Sequence, residues 1–121
     1  MKQIDIVKAY TALKRLSGYN LPVRKSYEVF SLTKRLEEFY QFSASEEQKM
    51  IDKYGGEMKD GGIVTFPDTE TASKYKEEAT VLANMEVDLN INKIKLSFDD
   101  FGNQTIPPAV LNDLSDVIQF E

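Results

Sequence analysis

Residues 21–54, LPVRKSYEVFSLTKRLEEFYQFSASEEQKMIDKY, decide the fold. The stretch reads as one long helix. Pro22 stands in the first turn, where the missing N–H has no helical partner to lose. Gly55-Gly56 stops the helix, because glycine enters the left-handed conformation without a steric penalty. At ~100° per residue, Val29, Leu32, Leu36, Phe39, Tyr40, Met50, Ile51 and Tyr54 share a sector roughly 120° wide. That stripe faces a core along nearly the whole length. Val23, Tyr27 and Phe30 fall on a different side, so the N-terminal half is expected to be covered twice. At ~1.5 Å per residue the stretch spans ~51 Å, against a diameter of about 35 Å for a compact chain of this length. The helix therefore protrudes, or breaks at Ser43-Ala44-Ser45, where capping boxes with Glu46 or Gln48 are available. Helix propensity stays favourable through Glu46–Lys53, which favours a continuous helix.

Working outward, residues 4–16 form an amphipathic helix with Ile6, Val7, Tyr10, Leu13 and Leu16 on one side. Ser17–Asn20 is a turn that folds this helix back onto Val23, Tyr27 and Phe30. On the other side, residues 55–62 (GGEMKDGG) are a flexible turn, and Ile63–Phe66 is a short strand closed by Pro67. Asp68 or Thr69 caps a helix over 69–85, with Ala72, Tyr75, Ala79 and Leu82 facing Tyr40, Met50, Ile51 and Tyr54. Residues 86–98 alternate as Val87, Leu89, Ile91 and then Ile94, Leu96, Phe98, with a phase shift at Asn92-Lys93 that demands a bulge or strand break. The first half is expected to pair antiparallel with Ile63–Phe66. Pro107-Pro108 opens a final helix, 108–118, with Leu111, Leu114 and Ile118 inward. The expected fold is α+β, a single domain over 1–121. A long central helix packs with helix one and forms a helical hairpin with a third helix, beside a small antiparallel sheet and a short C-terminal helix.

Composition narrows the chemistry. The 121 residues are 41% hydrophobic and 29% charged, an ordinary globular balance. No apolar run approaches the ~20 residues that span a bilayer, and no signal-peptide core is present, so the expected setting is intracellular and away from the membrane. Cysteine and histidine are absent, which excludes disulfides, thiolate metal sites and the commonest general base. No cofactor and no metal is expected. Asp100-Phe101-Gly102 is a chance match to a kinase triplet. Asp99–Asn103 lacks the alternation and distal Glu of a calcium loop, and Asn103-Gln104-Thr105 is a sequon without a route to secretion. A small carboxylate-dependent enzyme using Asp99 and Asp100 is a remote alternative, because adjacent loop aspartates are usually turn formers. A helix-turn-helix reading is disfavoured, because the N-terminal turns of the long helix hold apolar side chains rather than base-reading ones.

Net charge is −5, unevenly spread. Residues 86–121 carry Glu86, Asp88, Asp99, Asp100, Asp113, Asp116 and Glu121 against only Lys93 and Lys95. An acidic third disfavours nucleic acid and points to a basic protein partner. Asp99, Asp100, Asp113 and Asp116 are expected to gather as the docking patch. Phe39 and Phe42, at the aromatic run of the long helix, are expected to form a homodimer contact.

Leu21-Pro22-Val23-Arg24 opening a long charged helix, Lys53-Tyr54-Gly55 closing it, then Glu86-Val87-Asp88-Leu89 leading into Ile94-Lys95-Leu96 together form a recognisable pattern. In these features the chain resembles small proteins of tailed phages and prophages of Gram-positive bacteria. The run Phe39-Tyr40-Gln41-Phe42 and the double proline depart from that pattern. The resemblance implies a phage protein in the host cytoplasm or the virion and assigns no role to any residue. A non-enzymatic protein that binds and inhibits a host protein is the first expectation, and a virion structural or assembly component the second.

Overall fold

A computed structural model describes all residues, Met1–Glu121. Its frame is two helices, α1 (Gln3–Leu16) and α2 (Val23–Lys53). The 31 residues of α2 run without a break through Ser43–Ser45. It ends in a Schellman turn: the Gly55 amide donates to Asp52 O (3.3 Å) and the Gly56 amide to Ile51 O (2.8 Å). Gly55 takes φ of 70°, the conformation that made glycine the expected stop.

The chain then makes a hairpin of β1 (Glu57–Met58) and β2 (Val64–Thr65) and enters α3 (Thr69–Asn84). Asp68 caps α3 by accepting from the Thr71 amide at 2.8 Å. An extended segment leads to β3 (Ile94–Leu96), a 3₁₀ turn at Phe98–Phe101, α4 (Pro108–Leu114) and β4 (Ile118–Phe120). The molecule is α+β as expected, with α2 packed against α1 and α3, a two-stranded antiparallel sheet and a short helix near the C-terminus.

One core of 16 buried residues joins α1 (Ile6, Ala9, Tyr10, Ala12, Leu13, Leu16), α2 (Val29, Leu32, Leu36), β3, α4 and β4. Tyr10 stacks on Tyr40 with ring centroids 4.5 Å apart. Small Ala9 and Ala12 let α1 lie close to its neighbours.

Several expectations are corrected. α1 does not cover Val23, Tyr27 and Phe30. At ~100° per residue that trio centres about 150° from the Val29–Leu32–Leu36 stripe, so a helix seated on the stripe cannot reach it. Ile63–Phe66 does not pair with Val87–Ile91. Instead Val64 pairs with Met58 and Thr65 with Glu57, because closing a short local loop costs less entropy than recruiting a distant strand. Glu86 bridges to Lys2, and the Val87 amide donates to Met1 O at 2.8 Å. The last helix ends at Leu114 rather than 118, and Ile118 begins a strand parallel to β3, opposite Ile94. The run Val117-Ile118 with Phe120 suits a strand better than a helix end. Leu82, expected to be buried, is half-buried, like every inward residue of α3.

Candidate interaction surface

The N-terminal half of α2 presents an apolar ridge. Val23 is 87% exposed, Tyr27 67% and Phe30 56%. They recur at four and three residues, so one helix face carries all three. The Tyr27 and Phe30 rings lie 6.4 Å apart. A groove flanks the ridge on each side. One, of 350 Å³, runs between α1 and α2 and includes Tyr10, Leu21, Val29 and Phe30. The other, of 510 Å³, separates α2 from the 91–95 segment.

This second groove is basic in an acidic molecule. Lys25, Arg35, Lys93 and Lys95 line it with Glu28 as its one carboxylate, and Tyr27 forms part of its wall. Lys25 lies 3.8 Å from Glu28. Arg35 donates to Asn90 O at 2.8 Å, and the Lys93 ammonium to Ser115 O at 3.0 Å. These bonds hold the cations in place and leave most of their donors free.

The aspartates expected to form one docking patch are divided. Asp113 and Asp116 face α1 across a small polar cleft with Asp5 and Lys8. Asp99 and Asp100 lie in the 3₁₀ turn. β3 and β4 are parallel, Asp116 precedes β4 and Asp99 follows β3, so the two pairs stand at opposite ends of the ribbon. Asp100 accepts from the Ser97 amide at 2.9 Å, while the Asp99 amide donates to Ser97 Oγ at 3.2 Å. Both are engaged in building the turn. No group of three or more acidic residues is arranged to hold a metal ion. Of the aromatic pair, Phe42 is 45% exposed, whereas Phe39 packs partly buried against the core.

A polar cluster joins the far end of α2 to α3. Lys53 Nζ and the Tyr54 hydroxyl both donate to Glu78 Oε1 at 2.9 Å. Hydrogen bonds from Lys53 and Tyr54 hold the Glu78 carboxyl below its ordinary range, and the bond to Glu78 raises Lys53. Burial, with the Glu47 carboxylate 3.2 Å away, pushes the Tyr75 phenol up. Each shift favours the protonation state already present at neutral pH. The cluster is therefore suited to holding two helices together, not to exchanging protons near pH 7.

No protein-family model, curated protein or solved structure matches this chain. The sequence shows the ridge as a second apolar side and predicts a cover over it, whereas the structure leaves it exposed. The basic groove was not visible, since Lys25 and Arg35 meet Lys93 and Lys95 only once the chain has folded.

Proposed function

We propose that this chain is a phage or prophage protein that acts without catalysis, by binding a protein of the host cell through the ridge Val23–Tyr27–Phe30. The observation that carries the reading is the exposure of three large apolar side chains on the side of α2 opposite the core. Scattered apolar surface residues need no explanation, but an aligned row between two grooves is what an anchoring helix face looks like. The resemblance of the residues that open and close α2 to phage proteins supports the source. The residues themselves support the mode of action.

The test is capture from a Gram-positive host lysate by the tagged protein and by a Val23→Ser/Phe30→Ser variant. Both substitutions are at exposed positions, so circular dichroism should be unchanged. A host protein retained by the wild type and lost by the variant is the expected result. Equal recovery by both forms would remove the ridge from the mechanism.

Phe42 favours the second reading, a self-associating virion or assembly component. It is exposed on α2, less than two turns beyond the core stripe residue Leu36. Size-exclusion with light scattering at ~100 μM, well above the micromolar Kd that about 8 kcal/mol of contact gives, separates the two. A monomer supports the host-binding reading. A dimer, ring or larger multimer that Phe42→Ser disperses supports the virion one.

A further inference from the structure

We propose that the groove between α2 and the open edge of β3 binds an extended acidic peptide of the partner, which joins β3 as an added strand. This rests on the protein-binding reading above and names the chemistry of what is bound.

Three observations converge on the groove. The first is charge: Lys25, Arg35, Lys93 and Lys95 surround it with Glu28 as the single counter-charge, in a chain whose net charge is −5. The second is an unpaired backbone edge. In the parallel ladder the Ile94 amide donates to Val117 O and Leu96 O accepts from the Glu121 amide. Ile94 and Leu96 therefore turn their main-chain groups to β4, and the Lys95 N–H and C=O point the other way. The β3–β4 sheet has only those two strands, so nothing pairs with that edge. The third is side-chain alternation. Ile94 and Leu96 are buried while Lys93 and Lys95 are exposed, so two lysines about 7 Å apart along the backbone stand on the same side of the chain.

An added strand has the same period. Its acidic residues, two apart, fall beside Lys93 and Lys95, and its intervening residues turn inward towards Leu32 and Tyr27 on the α2 wall. The fitting ligand is thus a segment alternating acidic and apolar residues, held by main-chain bonds and sorted by charge. A nucleic acid strand fits less well. It cannot satisfy the Lys95 edge with a matching peptide ladder, and beyond the groove it runs into Asp99 and Asp100.

The probe is a fluorescein-labelled peptide of about eight residues alternating glutamate and valine. Its counterparts are a lysine–valine peptide and a short single-stranded DNA. The expected result is saturable binding of the glutamate peptide alone, weakened by salt. It should be reduced about tenfold or more in Lys95→Glu, which sets like charges opposite one another. Hydrogen exchange of the Lys95 amide in the wild-type protein should slow on saturation. Lys95→Gln keeps the N–H and Lys95→Pro removes it, so the proline variant should bind more weakly than the glutamine one. If Lys95→Pro does not fold, amide exchange in the wild type carries the same information.

No saturable binding, undiminished binding by Lys95→Glu, an unslowed Lys95 amide, or preference for DNA would each overturn the proposal. The ridge variant Val23→Ser/Phe30→Ser leaves the walls of this groove intact. Partner capture that depends on the ridge while the peptide fails to bind would sink the groove alone. Peptide binding without ridge-dependent capture would sink the ridge alone.

Discussion

The two halves of α2 are held in unlike ways. The N-terminal half commits Val29, Leu32 and Leu36 to the main core with α1, β3, α4 and β4. In the C-terminal half Met50 and Ile51 are buried outside that core, and α3 brings no fully buried residue to meet them. Polar and aromatic ties take over there: Lys53 and Tyr54 on Glu78, Tyr75 on Glu47, and the Phe66 ring 4.8 Å from that of Tyr75. Few buried apolar contacts mean a low free energy of local opening. The difference teaches that one helix can belong to two units of different firmness. The ridge and the basic groove both lie on the firm half, where a binding face loses little freedom on docking.

The largest expected effect contrasts the two halves directly. Leu36→Ala empties a fully buried site and is expected to cost about 2–5 kcal/mol, whereas half-buried Leu82→Ala on α3 is expected to cost about 1 kcal/mol. Urea midpoints measure both. Equal losses would mean that α3 is as much a part of the core as α1.

Gly56→Ala should sharpen the boundary. A Cβ there would come within 2.8 Å of Ile51 Cγ2, 2.9 Å of Phe66 Cε1 and 3.0 Å of Val64 Cγ1. Overpacking of this kind costs about 1–3 kcal/mol. Hydrogen exchange should quicken in the hairpin and α3 while α1 keeps its protection. Acceleration in α1 as well would make the molecule one cooperative unit.

The smallest effect concerns the pair at the end of α2. Because the folded Glu78 carboxyl titrates below its unfolded value of about 4.3, its contribution is complete above that pH and is lost as pH falls through the lower folded value. The thermal midpoint of the wild type should exceed that of Glu78→Gln near neutrality, and the gap should close on acidification. Lys53 behaves in the opposite sense, contributing below about 10.4 and losing its contribution as pH rises through a higher folded value. A gap between wild type and Glu78→Gln that stays constant from pH 6 to pH 3 would exclude the charge as its origin.

Helices were legible because periodicity and end signals agree. Pro22, Gly55 and Asp68 mark the observed boundaries to within a residue or two. Pairing was not legible, since alternation reports one-sided burial rather than a ladder. Val87, Leu89 and Ile91 do turn partly buried side chains to the core, yet their segment forms no strand beyond the bridge at Glu86. The phase shift at Asn92-Lys93 did mark a true boundary, for β3 starts at Ile94. Apolarity likewise says nothing about whether a cover exists, and Val23, Tyr27 and Phe30 have none. Of the candidate site, the acidic residues were conspicuous in sequence and are dispersed in space. The cations were sparse in sequence and converge.

Gln3, the single buried polar residue, gives the long helix something an apolar stripe cannot supply. Its Nε2 donates to Phe39 O at 2.7 Å and to Ser43 Oγ at 2.6 Å. Two aliphatic faces tolerate sliding by one turn, ~5.4 Å, because one methyl group replaces another. An amide does not, since displacement would strand a buried donor at a cost of about 1–3 kcal/mol. Ser43, which interrupts the stripe and looked like a weak point, is instead a notch on a ruler. α1 finds its alignment along α2 at that mark. The distance from the mark to Val23 and Lys25 is then fixed by the unbroken helix itself, as a graduation is fixed on a rigid scale.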